Sequence, residues 1–351
     1  MAGKMLAAVK TKPQPGAIEL LQVPRPDPKP HEALIRVKIA SICGTDVHIS
    51  SWDEWSQARI RTPLIQGHEF AGEVAELGKD VSLVTVGDYV SAEGHIACNT
   101  CYQCRTGNAH VCRNVQIIGV DRDGAFAEYV SVPEENLVVN PHNLPLEMAT
   151  IQDPFGNAVQ SVFSADVPGN YVAILGLGPI GLMSVALCRA VAAGKIFAIG
   201  HRNEYRLKLA ETLGADYVLR SDASLPETID RETEGRGVDH VLEMSGSPEA
   251  FTLGLKIVRP AGGVHVLGIY PEPFSVDVSS GIVTKGLHLH GIHGRLMYDT
   301  WYRMAGLLTS GRLDLEPIIT HRFAFKDFLE AMEVVRSGQA GKVVLYMEDD
   351  A

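Results

Sequence analysis

The chain is 351 residues long, 46% hydrophobic and 21% charged, with 31 Lys and Arg against 42 Asp and Glu and a formal net charge of −11. Such a length allows about two domains, and such a composition excludes a disordered chain, a fibrous repeat and a small disulfide scaffold. The acidic balance argues against a nucleic-acid partner, whose binding draws its affinity from neutralised phosphates.

The opening segment, MAGKMLAAVKTKPQPG, has no long apolar stretch and is not expected to act as a signal peptide, in keeping with a cytoplasmic location. Residues 24–30, PRPDPKP, make an extended connector. In ALIRVKIA (33–40) apolar residues recur at every second position, which predicts a strand. EFAGEVAELG (69–78), GDYVSAEG (87–94) and AFAEYVSVP (125–133) predict further short strands. Near residue 158 short apolar runs begin to alternate with helical stretches. Strands are expected at 171–176, 195–200, 238–246, 262–270 and 287–294, and helices at 179–192, 203–214 (stopped by Gly214) and 247–258. This alternation implies parallel β-α-β units. The tail returns to a helix (296–310), an extended piece near 317–321, a helix (326–337) and a final strand, KVVLYM. The parallel block, 158–295, reads as an insertion into one other domain formed by 1–157 and 296–351. The fold class is therefore α/β plus mostly-β. From Val167 to Cys188 there is no charged residue, long enough to raise a membrane span. Gly176, Gly178, Pro179 and Gly181 break that run where a strand would turn into a helix, so a buried strand, turn and helix is expected and no membrane partner.

The turn itself, Gly176-Leu177-Gly178-Pro179-Ile180-Gly181, is a Gly-x-Gly-x-x-Gly between an apolar strand and a helix. In the Rossmann dinucleotide-binding turn the first glycine makes the tight turn, the second admits a pyrophosphate and the third lets helix and strand approach. The helix N-terminus then offers N–H groups to the anion. An NAD site places Asp or Glu at the end of the second strand, on the ribose 2′-hydroxyl. Here that end reads Ile199-Gly200-His201-Arg202-Asn203, with His201 in the acidic place and Arg202 able to pair with a 2′-phosphate. NADP is therefore favoured over NAD.

Cys98, Cys101, Cys104 and Cys112 are spaced C-x2-C-x2-C-x7-C, in a lobe spanning about 95–115. Four thiolates fit a closed, structural zinc site. Ferredoxin-type clusters share the first three positions but place the fourth cysteine after three residues and before proline; here the gap is seven and Arg113 follows.

An open zinc site needs three protein ligands and a free position. Cys43, in Cys43-Gly44-Thr45-Asp46-Val47-His48, and His68, in Gly67-His68-Glu69, are natural candidates, and Asp153 could be the third ligand. Asp46 is suited to hold the second nitrogen of a zinc-bound histidine. His288, His290 and His293 read as a polar strand face or a subunit contact, and Cys188 as a small helix core residue.

These motifs, over essentially the whole chain, resemble the zinc-dependent medium-chain dehydrogenase/reductases of the alcohol dehydrogenase superfamily, and within them most closely the threonine dehydrogenases. SAEGHIACNTCYQC (91–104), DPFGNAV (153–159), IYPEPFS (269–275) and GIHGRLMYDTWY (291–302) carry the finer resemblance. It implies a GroES-like catalytic domain with an inserted Rossmann domain, and one catalytic and one structural zinc per subunit. It implies Cys43, His68 and Asp153 as catalytic zinc ligands, Glu69 as a neighbour that exchanges onto the metal, and Thr45 and His48 as a proton relay. The expected cofactor-binding set adds Arg206, Leu267, Gly268 and Ile269 to the glycine turn, His201 and Arg202. His95 is placed near the substrate, and Arg295 contacts cofactor or a substrate carboxylate, or caps a strand. The resemblance also implies a homotetramer in which the last Rossmann strand pairs between subunits. His201-Arg202 departs from the acidic residue that threonine dehydrogenases carry for NAD. The expected activity is oxidation of a secondary alcohol by NAD(P), with L-threonine as substrate. The rivals are an NADP-dependent polyol or sugar-alcohol dehydrogenase and a non-catalytic module that keeps the fold.

Overall fold

The alternating segment at 33–40 forms the strand Glu32–Ser41, which organises the first of two units in the computed structural model; residues 3–347 are described. One edge of this strand pairs antiparallel with Glu69–Leu77. The other edge is shared by Tyr129–Pro133 along its first half and by Lys342–Tyr346 at its end. Both of its faces are covered, so Ala33, Leu34, Ile35, Val37, Ile39 and Ala40 are all buried. The core around it draws on Phe70, Val90, Phe126 and Val132 and, from the far end of the chain, Phe325, Phe328 and Val343. Phe126 and Phe328 meet edge to face at 5.0 Å.

The second unit is built on six parallel strands in the order Tyr217–Arg220, Lys195–Gly200, Tyr171–Leu175, Val238–Glu243, Val258–Val266 and His288–Gly291. Its core holds Ala173, Leu175, Phe197, Ile199, Val241 and Val264. The uncharged run from Val167 to Cys188 is the strand Tyr171–Leu175, the glycine turn and the helix Pro179–Ala190. No helix among the described residues is long and apolar enough to cross a membrane.

Residues up to Asp153 cluster with those from Ile319 onward, and Pro154–Ile318 form the second unit. The second crossover thus falls after Ile318 rather than at the expected 295/296, for a packing reason. Gly156 leaves no room for a side chain between Arg295 and Met304, and the Arg295 guanidinium lies 5.8 Å from the ring centre of buried Trp301. The turn Glu316–Ile318 packs on the helices Pro179–Ala190 and Glu204–Thr212. Several elements depart from the sequence reading. Tyr217–Arg220 and the helix Leu225–Glu232 lie in a polar stretch, and of that helix only Leu225 and Ile229, one turn apart, are buried. The strand expected at 262–270 runs instead from Val258 to Val266, because the Leu267 and Gly268 N–H groups turn to the Glu243 carbonyl (2.9 and 3.1 Å). Of AFAEYVSVP only Tyr129–Pro133 is strand.

Three histidines align across neighbouring strands of this sheet. His265 is buried, 2.7 Å from Ser164 Oγ and 3.3 Å from His240 Nδ1, and its ring stacks on exposed His290 at 4.7 Å. Burial, then His240 and His290, push the His265 pKa down to about 3. An unfolded histidine titrates near ~6.5. Between these values the unfolded chain binds the extra proton, so this contribution to stability is complete above ~6.5 and fades as pH falls toward the folded value. His265→Gln should therefore flatten the fall in urea midpoint across that acid window. An unaltered slope would contradict it.

Candidate active site

The strand Glu32–Ser41 delivers Cys43 to the N-cap of the helix Gly44–Ser51, so the Cys-Gly-Thr-Asp motif opens a helix just past the strand end. The cap is held by the Asp46 carboxylate, which accepts from the Cys43 N–H at 2.9 Å. Asp46 is fully buried, and burial above all pushes its pKa up to about 6. His68 stands just before the strand Glu69–Leu77. It is set by Gly67, whose φ of +92° suits glycine and whose Cβ would overlap the Phe126 ring. Burial opposes protonation of His68, but the Cys43 sulfur, then Asp46 and Asp153, outweigh it and hold its pKa up to about 10. The surroundings thus draw positive charge. Glu69 is fully buried. Its Oε2 accepts from Ser41 Oγ and from the Lys342 ammonium, which also donates to the Ile42 carbonyl at 2.9 Å.

Ligand atoms of Cys43, His68 and Glu69 all lie within 4.8 Å of one another. His68 Nδ1, Glu69 Oε1 and Asp46 Oδ1 are buried with no hydrogen-bond partner. Orphaned acceptors are costly, and a thiolate, an imidazole and a carboxylate form a donor set that zinc accepts. The residues therefore fit the metal. Asp153, buried in the first turn of the helix Gln152–Phe163, stands outside this close group, although its charge acts on His68. Asp46 gives its second oxygen to the Cys43 N–H rather than to His68. Thr45 Oγ lies 3.8 Å from the Cys43 sulfur, and His48, one turn on and mostly exposed, is anchored through Nδ1 by Asp53 at 2.6 Å.

The four sulfurs of Cys98, Cys101, Cys104 and Cys112 also lie within 4.8 Å of one another, with Cys101 to Cys104 at 3.4 Å and Cys101 to Cys112 at 3.8 Å. Tetrahedral zinc with ~2.3 Å bonds would separate its sulfurs by about 3.8 Å. Donors already face them: the Cys112 sulfur accepts from the Cys98 and Asn114 N–H groups, and the Thr100 hydroxyl leads the groups that draw the Cys98 pKa down to about 5. His95 leaves the edge of this lobe. Its N–H and Nδ1 both meet buried Glu93 Oε1, at 2.9 and 3.1 Å.

In the second unit the three glycines have distinct reasons. Gly176 has φ +99°, a Cβ on Gly178 would meet open space at the N-cap of the helix Pro179–Ala190, and one on Gly181 would lie 2.0 Å from the Gly176 carbonyl. Pro179 at the first helical position costs no hydrogen bond. The next N–H groups of the helix, at Ile180 and Gly181, stay available to an anion. Buried Leu177 packs beneath Gly200. His201 and Arg202 are exposed past the strand Lys195–Gly200, Arg206 is half-buried in the next helix, and Ile269 is 89% exposed. Arg295 is buried against Trp301 and donates to Asn157 Oδ1 at 3.4 Å. Lys342, Ser41 and Asp53 escaped the sequence reading, because nothing local marks a lysine at the head of an apolar strand as the partner of a carboxylate 273 residues away.

Residues 29–142 match the alcohol dehydrogenase GroES-like domain, and residues 179–310 the zinc-binding dehydrogenase domain. The chain belongs to the zinc-dependent medium-chain dehydrogenase family of the alcohol dehydrogenase superfamily, oxidoreductases that couple a small-molecule alcohol to a nicotinamide cofactor. More narrowly, it is 50% identical over 350 residues to L-threonine 3-dehydrogenase of Caldanaerobacter subterraneus subsp. tengcongensis, covering 99% of this chain and 100% of that one. Among solved structures it is similar to an alcohol dehydrogenase of Escherichia coli complexed with NADH (TM-score 0.89, 26% identity, 99% and 100% coverage). It is also similar to a zinc-binding dehydrogenase of Sinorhizobium meliloti bound to NADP (TM-score 0.87, 27% identity, 98% and 99% coverage).

Proposed function

We propose that this chain oxidises the 3-hydroxyl of L-threonine to give 2-amino-3-ketobutyrate, with NADP preferred to NAD. The carrying observation is half-identity over the full length to an L-threonine 3-dehydrogenase. Cys43, His68 and Asp153 hold the catalytic zinc, and Glu69, whose Oε1 is unpartnered, is the group that exchanges onto it. Zinc bound there supplies Lewis-acid polarisation of the substrate hydroxyl. Thr45 relays the hydroxyl proton, accepting it only as its own hydroxyl proton passes on toward His48. His48, exposed and anchored by Asp53, passes it to solvent, as a histidine does near neutral pH. Cys98, Cys101, Cys104 and Cys112 hold a structural zinc, and His95 helps to select the substrate. The cofactor is bound by residues 176–181, His201, Arg202, Arg206 and residues 267–269.

NADP preference is supported by the positive charge around the end of the strand Lys195–Gly200. No carboxylate stands at His201, Arg202 is exposed, and Arg220 lies opposite Gly200 in register, with Glu204 already paired to it. Initial rates of cofactor reduction with L-threonine, run with NAD and NADP in parallel on zinc-loaded enzyme, test both halves of the reading. NADP is expected to give the higher kcat/KM. Arg202→Glu should lower the NADP value about tenfold or more, the loss of a charge-assisted contact, without moving the melting temperature. Higher efficiency with NAD would overturn the cofactor preference, and turnover of polyols alone would overturn the threonine assignment. A cytoplasmic homotetramer, as the family resemblance implies, belongs to the same proposal; a monomeric mass by light scattering would refute the assembly.

A further inference from the structure

Glu243 ends the strand Val238–Glu243, is fully buried, and has no Lys or Arg paired with it among the described residues. Its carboxylate is met by donors from two loops. Oε1 accepts from the Ser245 N–H at 2.8 Å, the Ser245 hydroxyl at 2.5 Å and the Gly246 N–H at 3.2 Å, while Oε2 accepts from the Tyr270 hydroxyl at 2.7 Å. The Glu243 carbonyl takes the N–H groups of Leu267 and Gly268. One residue therefore ties the loop after its own strand to the loop after the neighbouring strand Val258–Val266.

The tie reaches the glycine turn as well. A Cβ on Gly176 would lie 2.8 Å from Ser245 Cβ, one on Gly246 would lie 2.4 Å from the Ile269 carbonyl, and one on Gly268 would lie 2.2 Å from the Gly246 nitrogen and 2.5 Å from Glu243 Oε2. The three loops at the carboxyl ends of Tyr171–Leu175, Val238–Glu243 and Val258–Val266 are thus in backbone contact through residues 243–246. In a parallel α/β sheet, dinucleotides bind outside these strand ends. Tyr270 is fixed from behind by Phe251 and Phe274, with ring centres at 6.1 and 4.9 Å, and lines an open cavity of about 590 Å³ with Gly268 and Ile269. Burial, with the Glu243 carboxylate, raises the Tyr270 pKa, so its hydroxyl stays a donor.

We infer that Glu243 and Tyr270 are positioning residues that hold the loops 244–246 and 267–270 in the shape the nicotinamide dinucleotide requires. This rests on the cofactor reading above. Neither side chain needs to touch the cofactor; the carboxylate fixes the backbone that does. The hydrogen bonds give affinity by having the crevice ordered before binding. A purely structural carboxylate would affect stability alone.

The experiment titrates NADPH and NADH fluorescence on the zinc-loaded full chain for the wild type, Tyr270→Phe, Glu243→Gln and Tyr217→Phe. The last is a matched control, since the Tyr217 hydroxyl also donates to a carboxylate, Glu232 at 2.5 Å, but away from these loops. Tyr270→Phe is expected to weaken the preferred cofactor about fivefold, the loss of one hydrogen bond, and Glu243→Gln more. Cofactor KM should rise in step while kcat stays within about twofold, and Tyr217→Phe should leave the cofactor constants unchanged. Wild-type affinity in both Tyr270→Phe and Glu243→Gln overturns the inference while leaving the cofactor reading standing. Equal weakening in Tyr217→Phe also overturns it, as a general stability effect. A wild type that binds neither cofactor overturns the reading and the inference together.

Discussion

Cys43→Ser is expected to cut kcat by about a thousandfold or more while nicotinamide binding persists. The thiolate is the softest donor in the group Cys43, His68 and Glu69. A serine hydroxyl is neutral at physiological pH and a poor zinc donor. Losing Lewis-acid activation of the hydroxyl removes several kcal/mol of transition-state stabilisation, and each ~1.4 kcal/mol is a factor of ten. The variant should carry one zinc less per chain than the wild type, because the four-cysteine lobe is untouched. Cofactor affinity should hold, since residues 176–181 belong to the other unit. Turnover that survives in the zinc-depleted variant would refute the metal mechanism. Loss of both zincs would instead show that the two centres fold as one.

The glycine turn was legible in the sequence because each glycine answers a local steric demand, and six consecutive residues report all three. The four-cysteine lobe was legible for a similar reason: thiols at that spacing have one common use. Cys43 and His68 could be named as candidate ligands from residue type, but not their surroundings. The Asp46 side chain turned to the Cys43 N–H, a cap that becomes visible only once Gly44–Ser51 is known to be a helix. Asp153 fell in a helix that the sequence reading did not mark, since Pro154, Gly156 and Asn157 in its first turns obscure the period. The second unit ended later than expected because Met304 stands on a helix whose partner, Gly156, lies far off in sequence. Glu243 closes a strand that also carries Asp239 and His240, so an acid at its end has no mark of its own. Its meaning comes from Ser245 and Gly246 just after it and from Tyr270, which the sheet order brings to it.

The same long-range logic governs the fully buried carboxylate of Glu69, and it sets the largest stability effect expected here. Lys342→Met should destabilise the chain by about 3–5 kcal/mol, the usual cost of removing one partner of a buried ion pair. Lys342 and Glu69 are both buried, and the ammonium bridges the Glu69 carboxylate to the Ile42 carbonyl one residue before Cys43. Methionine fills the volume of the lysine stem, so the loss measures charge rather than a cavity. Burial opposes the ammonium, but the Glu69 and Cys43 charges outweigh it and raise its pKa. The pair's contribution is therefore complete below the unfolded lysine value of ~10.4 and is lost only as pH climbs through the higher folded one. Urea unfolding of the zinc-loaded chain at neutral pH reads the effect. Adding Glu69→Gln removes the stranded charge, so the double variant should recover much of the loss, a coupling that independent sites do not show. Additive losses, or a single-variant loss below about 1 kcal/mol, would mean that the carboxylate is satisfied without the lysine. The carboxylate's orientation toward the Cys43 and His68 ligand atoms would then depend on the Ser41 hydroxyl, the other donor to Oε2.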